Sequence, residues 1–110
     1  PVAREVAVAN AVISVNGRSD AWPATRQFRA YGCLAVELCM VASGGLDGYV
    51  NLDGDAHGPW DYLGGLLVLR EAGGVVADRR GRELVTVDGT ARRDLVAACG
   101  RELLAAMMSG

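Results

Sequence analysis

The chain has 110 residues, 51% of them hydrophobic and 22% charged, with a formal net charge of -2. This is one domain's worth of sequence, long enough to bury roughly 65% of the surface its unfolded chain would expose, and the composition carries no bias toward disorder. The charge gives no basic footprint for nucleic acid, no apolar run approaches the length of a membrane span, and no signal peptide is visible.

Val6 to Val15 is rich in Ala, Val and Ile and reads as a buried strand, closed by a turn at Asn16-Gly17. Asp20 to Arg29 is polar and expected to be irregular, with Pro23 allowing at most a helix start. Tyr31 to Ala42 is almost wholly apolar; its length favours a helix, and Ser43-Gly44-Gly45 supplies the stop. Apolar on nearly all sides, that helix should pack on more than one face. Glu37 is its exception, expected at a surface groove or a partner. Asp47 to Leu52 is a short strand, and Asp53 to Gly58 a polar loop. Pro59 suits a helix start, where its missing N–H would have no partner anyway. Leu63 to Arg70 continues that helix and Gly73-Gly74 ends it. Val75 to Asp78 is a strand, Arg79-Arg80-Gly81 a turn, Leu84 to Val87 a further short strand, Asp94 to Ala98 a strand and Arg101 to Met108 a closing helix. Strands alternating with helices predict a layered α/β domain.

Trp60-Asp61 carries the chemistry. A carboxylate in the first turn of a helix lies near the positive end, which favours the ionised form, and an ionised oxygen is what a hard cation needs. Asp at that position more often serves as a cap than as a metal ligand. Gly64 and Gly65 cost the helix about 1 kcal/mol each against Ala, which predicts close approach of a neighbouring element. Asp53, Asp55 and His57 alternate, but Gly64 stands where a calcium loop needs its Glu, so an exposed acidic loop is expected. His57 is the only histidine, which rules out a His-rich zinc site or a Ser-His-Asp triad. Asp88-Gly89-Thr90 reads as a turn, and Glu37 and Glu71 as surface or interface residues rather than an acid–base pair. Cys33, Cys39 and Cys99 fit neither a zinc site nor a redox pair, so free thiols in a reducing cytoplasm are expected. The opening on Pro1 rather than Met predicts an excerpt from a longer polypeptide.

The segment Trp60 to Gly74, WDYLGGLLVLREAGG, resembles the second signature of the inositol monophosphatase family, departing from it at Tyr62-Leu63-Gly64. Tyr31-Gly32-Cys33 with the helix after it, Ala42 to Tyr49, and the stretches Val75 to Asp78 and Asp94 to Ala98 are also similar, so the match runs from about Arg29 to the end. The resemblance implies a layered α/β/α sandwich with a mixed, mostly parallel sheet, residues 1–110 being the C-terminal domain of the sugar-phosphatase fold. It implies that Asp61 binds Mg2+ beside the substrate and that Gly32 and Cys33 line the substrate pocket, a thiol replacing the usual hydroxyl. Asn51 stands nearest the Glu that inositol-specific members carry. The implied reaction is hydrolysis of a phosphate monoester of inositol or a related sugar or polyol. Magnesium ions would activate water and stabilise the leaving alkoxide. The partners implied are that small-molecule monoester, the N-terminal half of the same protein and a second copy in a homodimer, in the cytoplasm. The family's activating Glu and its Asp-Pro-Ile/Leu-Asp-Gly-Thr motif are absent from these residues, so this chain alone is expected to be inactive. Two other readings stay open: a non-catalytic domain that keeps the fold for binding or assembly, and an interaction module that exposes the Tyr31–Ala42 helix.

Overall fold

The computed structural model describes residues 1–2, 4–17, 25 and 27–109. Residues 20–24 and 26 of the stretch expected to be irregular, Pro23 among them, lie outside the described residues. A 3₁₀ turn at Val8–Asn10 leads into β1 (Val12–Asn16), β2 (Gln27–Arg29), α1 (Leu34–Ser43), β3 (Gly48–Asn51), α2 (Pro59–Glu71), β4 (Val75–Asp78), β5 (Leu95–Ala98) and α3 (Arg101–Ser109).

Three local expectations are corrected. The strand expected from Val6 begins only at Val12, because the residues before it find no neighbouring strand. They run along α3 instead, where the Glu5 carboxylate accepts the Leu103 N–H at 2.9 Å and so caps that helix. Gln27–Arg29 forms an edge strand, although all three residues are exposed; backbone pairing with β1 holds it, and no side-chain pattern announces it. Leu84 to Val87 forms no strand. Leu84 is buried and its carbonyl accepts the Tyr62 hydroxyl at 2.5 Å, while Val87 is fully exposed with no ladder beside it.

The strand order is β2-β1-β3-β5-β4. β1 pairs parallel with β2 and β3, and β5 pairs antiparallel with β3 and β4. Four of the five strands therefore point one way, as a mostly parallel sheet requires, but β5 lies between two of them and makes two of the four ladders antiparallel. Side chains alternate across the sheet. Tyr49, Leu95 and Ala97 face Leu38, Val41, Tyr62, Leu66 and Leu69 of α1 and α2. Ile13, Val15, Val50, Val96 and Ala98 face Leu103 and Met107 of α3. The result is the expected α/β/α sandwich, with two helices on one side and one on the other.

The two helices of the first layer touch at Gly65. A Cβ there would sit 2.9 Å from Leu38 Cβ, so a bare backbone is what lets α1 lie against α2. Gly64 faces open space, and the close approach expected of both glycines belongs to Gly65 alone. α1 ends at Gly44, whose left-handed φ of 86° turns the chain so that the Gly45 N–H reaches the Met40 carbonyl. Outward from this layer, Ala35, Val36, Cys39, Met40 and Ser43 line an open apolar groove, and Leu67 and Val68 are exposed on α2. Among the described residues no helix is long and apolar enough to cross a membrane. Gly65→Ala is expected to destabilise the fold by about 1–3 kcal/mol through overpacking on Leu38. Gly64→Ala should be neutral or gain up to about 1 kcal/mol. Urea titration of the two variants tests the asymmetry, and equal effects would contradict the packing described.

Candidate active site

α1 and α2 both begin at the same end of the sandwich. Cys33 caps α1 in an extended conformation, and Gly58 caps α2 with Pro59 in its first turn. Their first turns flank a cavity of about 310 Å³ lined by Asn16, Gly32, Cys33, Leu34, Ala35, His57, Trp60 and Asp61. In α1 the N–H groups of Leu34 to Val36 have no intrahelical acceptor; in α2 Pro59 has no N–H and the Gly58 carbonyl takes the Asp61 N–H, which leaves the Trp60 N–H, and the aligned peptide dipoles add positive potential at both ends. Two such ends on one cavity favour an anion with oxygen acceptors.

Asp61 stands in the first turn of α2, and its Oδ2 accepts the Gly58 N–H at 3.1 Å. It is therefore a cap and a cavity residue at once, and the capping bond occupies only one of its two oxygens. Among the described residues no group of three or more His, Cys, Asp or Glu could hold a metal ion. A hard cation takes about six or more oxygen ligands. The donor set here fits one carboxylate contribution to such an ion and no more. Trp60 forms the rim. Its indole lies so close over Gly58 that a Cβ there would come within 2.7 Å of the ring, and the Arg92 guanidinium sits 4.6 Å from the ring centroid.

The cavity thus gathers three of the four residues singled out in the sequence: Gly32, Cys33 and Asp61. Asn51 is not among its lining residues. It is buried in β3, where its amide donates to the Gly54 carbonyl at 2.5 Å and to Asp94 Oδ1 at 3.3 Å, and its Oδ1 accepts the Asp53 N–H. Asn51 shapes the loop behind the cavity.

His57 lines the cavity, although the sequence placed it in an exposed acidic loop. Asp53 and Asp55 are exposed, as expected of that loop, but His57 is only 8% exposed. Its backbone exchanges two hydrogen bonds with Arg93, at 3.2 and 2.8 Å, and its Nε2 lies 2.9 Å from the Tyr49 hydroxyl. Burial pushes the imidazole below its ordinary pKa, against the pull of Asp61, Asp94 and Asp53. Burial likewise pushes the Tyr49 phenol up, so it stays protonated, while a hydrogen bond from the Asn16 side chain works in the opposite direction. One signal in the sequence points to His57: it immediately precedes the cap of the helix that carries Asp61.

The loop holding His57 is clamped from outside. The buried Asp78 carboxylate accepts Arg82 Nε at 2.7 Å and the Asp94 N–H at 2.9 Å, and the same guanidinium reaches Asp55 at 2.5 Å. Burial works to raise the Asp78 carboxyl, but these hydrogen bonds and the Arg82 charge outweigh it and hold Asp78 well below the usual carboxylate range.

Glu37 is not at the surface. It is fully buried, because β1 covers the α1 face that carries it, and the Ser14 hydroxyl of β1 donates to Oε2. Oε1 is sealed off without a partner. Burial pushes the Glu37 carboxyl above its ordinary range, opposed by Ser14 and by the backbone N–H groups of Cys33 and Tyr31. Glu71 is exposed at the end of α2. Asp88–Thr90 is an exposed turn in which Asp88 Oδ1 accepts the Thr90 N–H at 2.9 Å.

Because the folded state holds on to the Glu37 proton more tightly than the unfolded chain, this group lowers stability as pH rises through and above the ordinary glutamate range. Glu37→Gln is expected to raise the urea midpoint at pH 7 and to lose that advantage toward pH 4. A pH-independent effect would show that burial of the charge is not the cause.

The chain matches the inositol monophosphatase family over residues 4–109. It is 40% identical over 80 residues to a fructose-1,6-bisphosphatase/inositol-1-monophosphatase of Thermococcus kodakarensis, covering 72% of this chain and 31% of that protein. Inositol monophosphatase 3 of Solanum lycopersicum is 46% identical over 68 residues, 62% of this chain and 24% of that protein. A solved structure from Pyrococcus horikoshii, described as having similarities for inositol-1 monophosphatase, superposes with a TM-score of 0.83 at 29% identity, covering 98% of this chain and 44% of that one. The chain therefore spans less than half the length of these relatives.

Proposed function

Since the chain belongs to the inositol monophosphatase family, we propose that it is the C-terminal domain of a magnesium-dependent phosphatase acting on a sugar or polyol phosphate monoester. One observation carries this reading: two helix N-termini and the Asp61 carboxylate meet in a single cavity. In it the N–H groups at the start of α1, with the Trp60 N–H of α2, seat the phosphate oxygens, and the turn at Gly32 lets the backbone come close to them. The Cys33 thiol is a weaker donor than the hydroxyl it replaces. Asp61 contributes one oxygen ligand to Mg2+, which when bound supplies Lewis-acid stabilisation of the phosphate and an activated water. Trp60 and His57 form part of the cavity wall.

The remaining metal ligands come from the N-terminal half of the same polypeptide in this proposal. The exposed apolar surfaces at Val36, Cys39, Leu67 and Val68 favour such docking, and a homodimer would cover further surface. Three free thiols suit the cytoplasm. Phosphate release from a panel of sugar and polyol phosphates, with and without Mg2+, tests the reading. The 110-residue chain by itself should show no turnover. The longer polypeptide should turn over, and Asp61→Asn within it should lower kcat/KM by about 100-fold or more. Unchanged activity and metal dependence in that variant would remove the central assignment.

A further inference from the structure

His57 has no part in the scheme above beyond forming wall, yet its surroundings leave it little freedom. Both its backbone polar groups are tied to Arg93. Its Nε2 is in hydrogen-bond contact with the Tyr49 hydroxyl at 2.9 Å. Nδ1 makes no hydrogen bond with the described residues and is not among the polar atoms sealed from solvent, while the residue itself lines the cavity.

The Tyr49 hydroxyl decides which ring nitrogen carries the proton. Tyr49 is fully buried. Its O–H proton must then find an acceptor, since a buried donor left unpaired costs about 1–3 kcal/mol. His57 Nε2 is the acceptor in reach. A ring that accepts at Nε2 carries its proton on Nδ1. The donors run from Tyr49 to His57 and end at an N–H available to whatever occupies the cavity. The opposite tautomer would make Nε2 the donor and leave the buried Tyr49 O–H without an acceptor.

We propose that His57 is a substrate-contacting residue whose Nδ1–H donates to an anionic oxygen of the phosphorylated substrate, between the two helix N-termini. The proposal rests on the phosphatase reading for the identity of that substrate, and Tyr49 acts in it as a positioning residue. A carboxylate in this wall could only accept; an imidazole N–H donates, and its bond to an anionic oxygen is stronger than one to a neutral hydroxyl.

His57 is the sole histidine, so its ring nitrogens give a single set of nitrogen-15 signals in the intact chain. Long-range proton–nitrogen correlation at neutral pH should show the Nδ1–H tautomer, and Tyr49→Phe should give a mixture of the two. Titration with inorganic phosphate should shift both Nδ1 and the amides of Gly32 to Ala35, and His57→Phe should weaken phosphate binding by about tenfold. An Nε2–H tautomer overturns the proposal whatever the protein catalyses. Helix-end amides that move while Nδ1 stays fixed overturn it and leave the phosphatase reading intact. If neither moves, the cavity binds no phosphate oxygen by itself and the proposal falls, while the phosphatase reading is judged by turnover of the longer polypeptide.

Discussion

The approach of α1 to α2 at Gly65 is the contact on which the rest of the site depends. The helices come from separate stretches of sequence, and only their close packing places both N-termini on one cavity. Two positive helix ends held side by side repel each other. Asp61 offsets that within the chain, because its carboxylate caps α2 while facing the same space. Thus one bare backbone position and one carboxylate create a region that attracts anions without collapsing on itself.

Beneath the cavity lies a polar layer inside an otherwise apolar core. Ser14 and Glu37 pair across β1 and α1, and Tyr49 bonds His57. Buried polar groups are costly when incompletely satisfied and rigidify a structure when satisfied. Both situations occur here within one layer: the Tyr49 cluster has its bonds, and Glu37 Oε1 lacks one. The layer trades stability for fixed side-chain positions under the site, as functional sites commonly do.

Much of this was legible in the sequence, for identifiable reasons. α2 announced itself by Pro59 at its start and Gly73-Gly74 at its end, and β3, β4 and β5 by short apolar runs between turn residues. The same ends placed Asp61, and the shared family pattern placed Gly32 and Cys33 beside it. β2 was not legible because all three of its residues are exposed, so no buried face marks it. Leu84 to Val87 misled in the opposite sense: four residues of strand composition with no ladder to join. Glu37 and His57 were misjudged through their neighbours. A charge on a helix and a histidine among aspartates both read as surface, and only the positions of β1 and Tyr49, distant in sequence, bury them.

The placement of β5 bears on how such a chain comes to be folded at all. The strand between β3 and β4 consists of residues 95–98, and β4 has no other neighbour among the described residues. On a ribosome, β5 emerges after both of its neighbours. Until then β3 presents an unpaired edge and β4 has nothing to pair with among the described residues, the kind of exposed strand that invites association with other chains. The sheet closes around the last of the described strands to be made, so nascent chains stalled before residue 95 should depend on chaperones more than chains that carry β5.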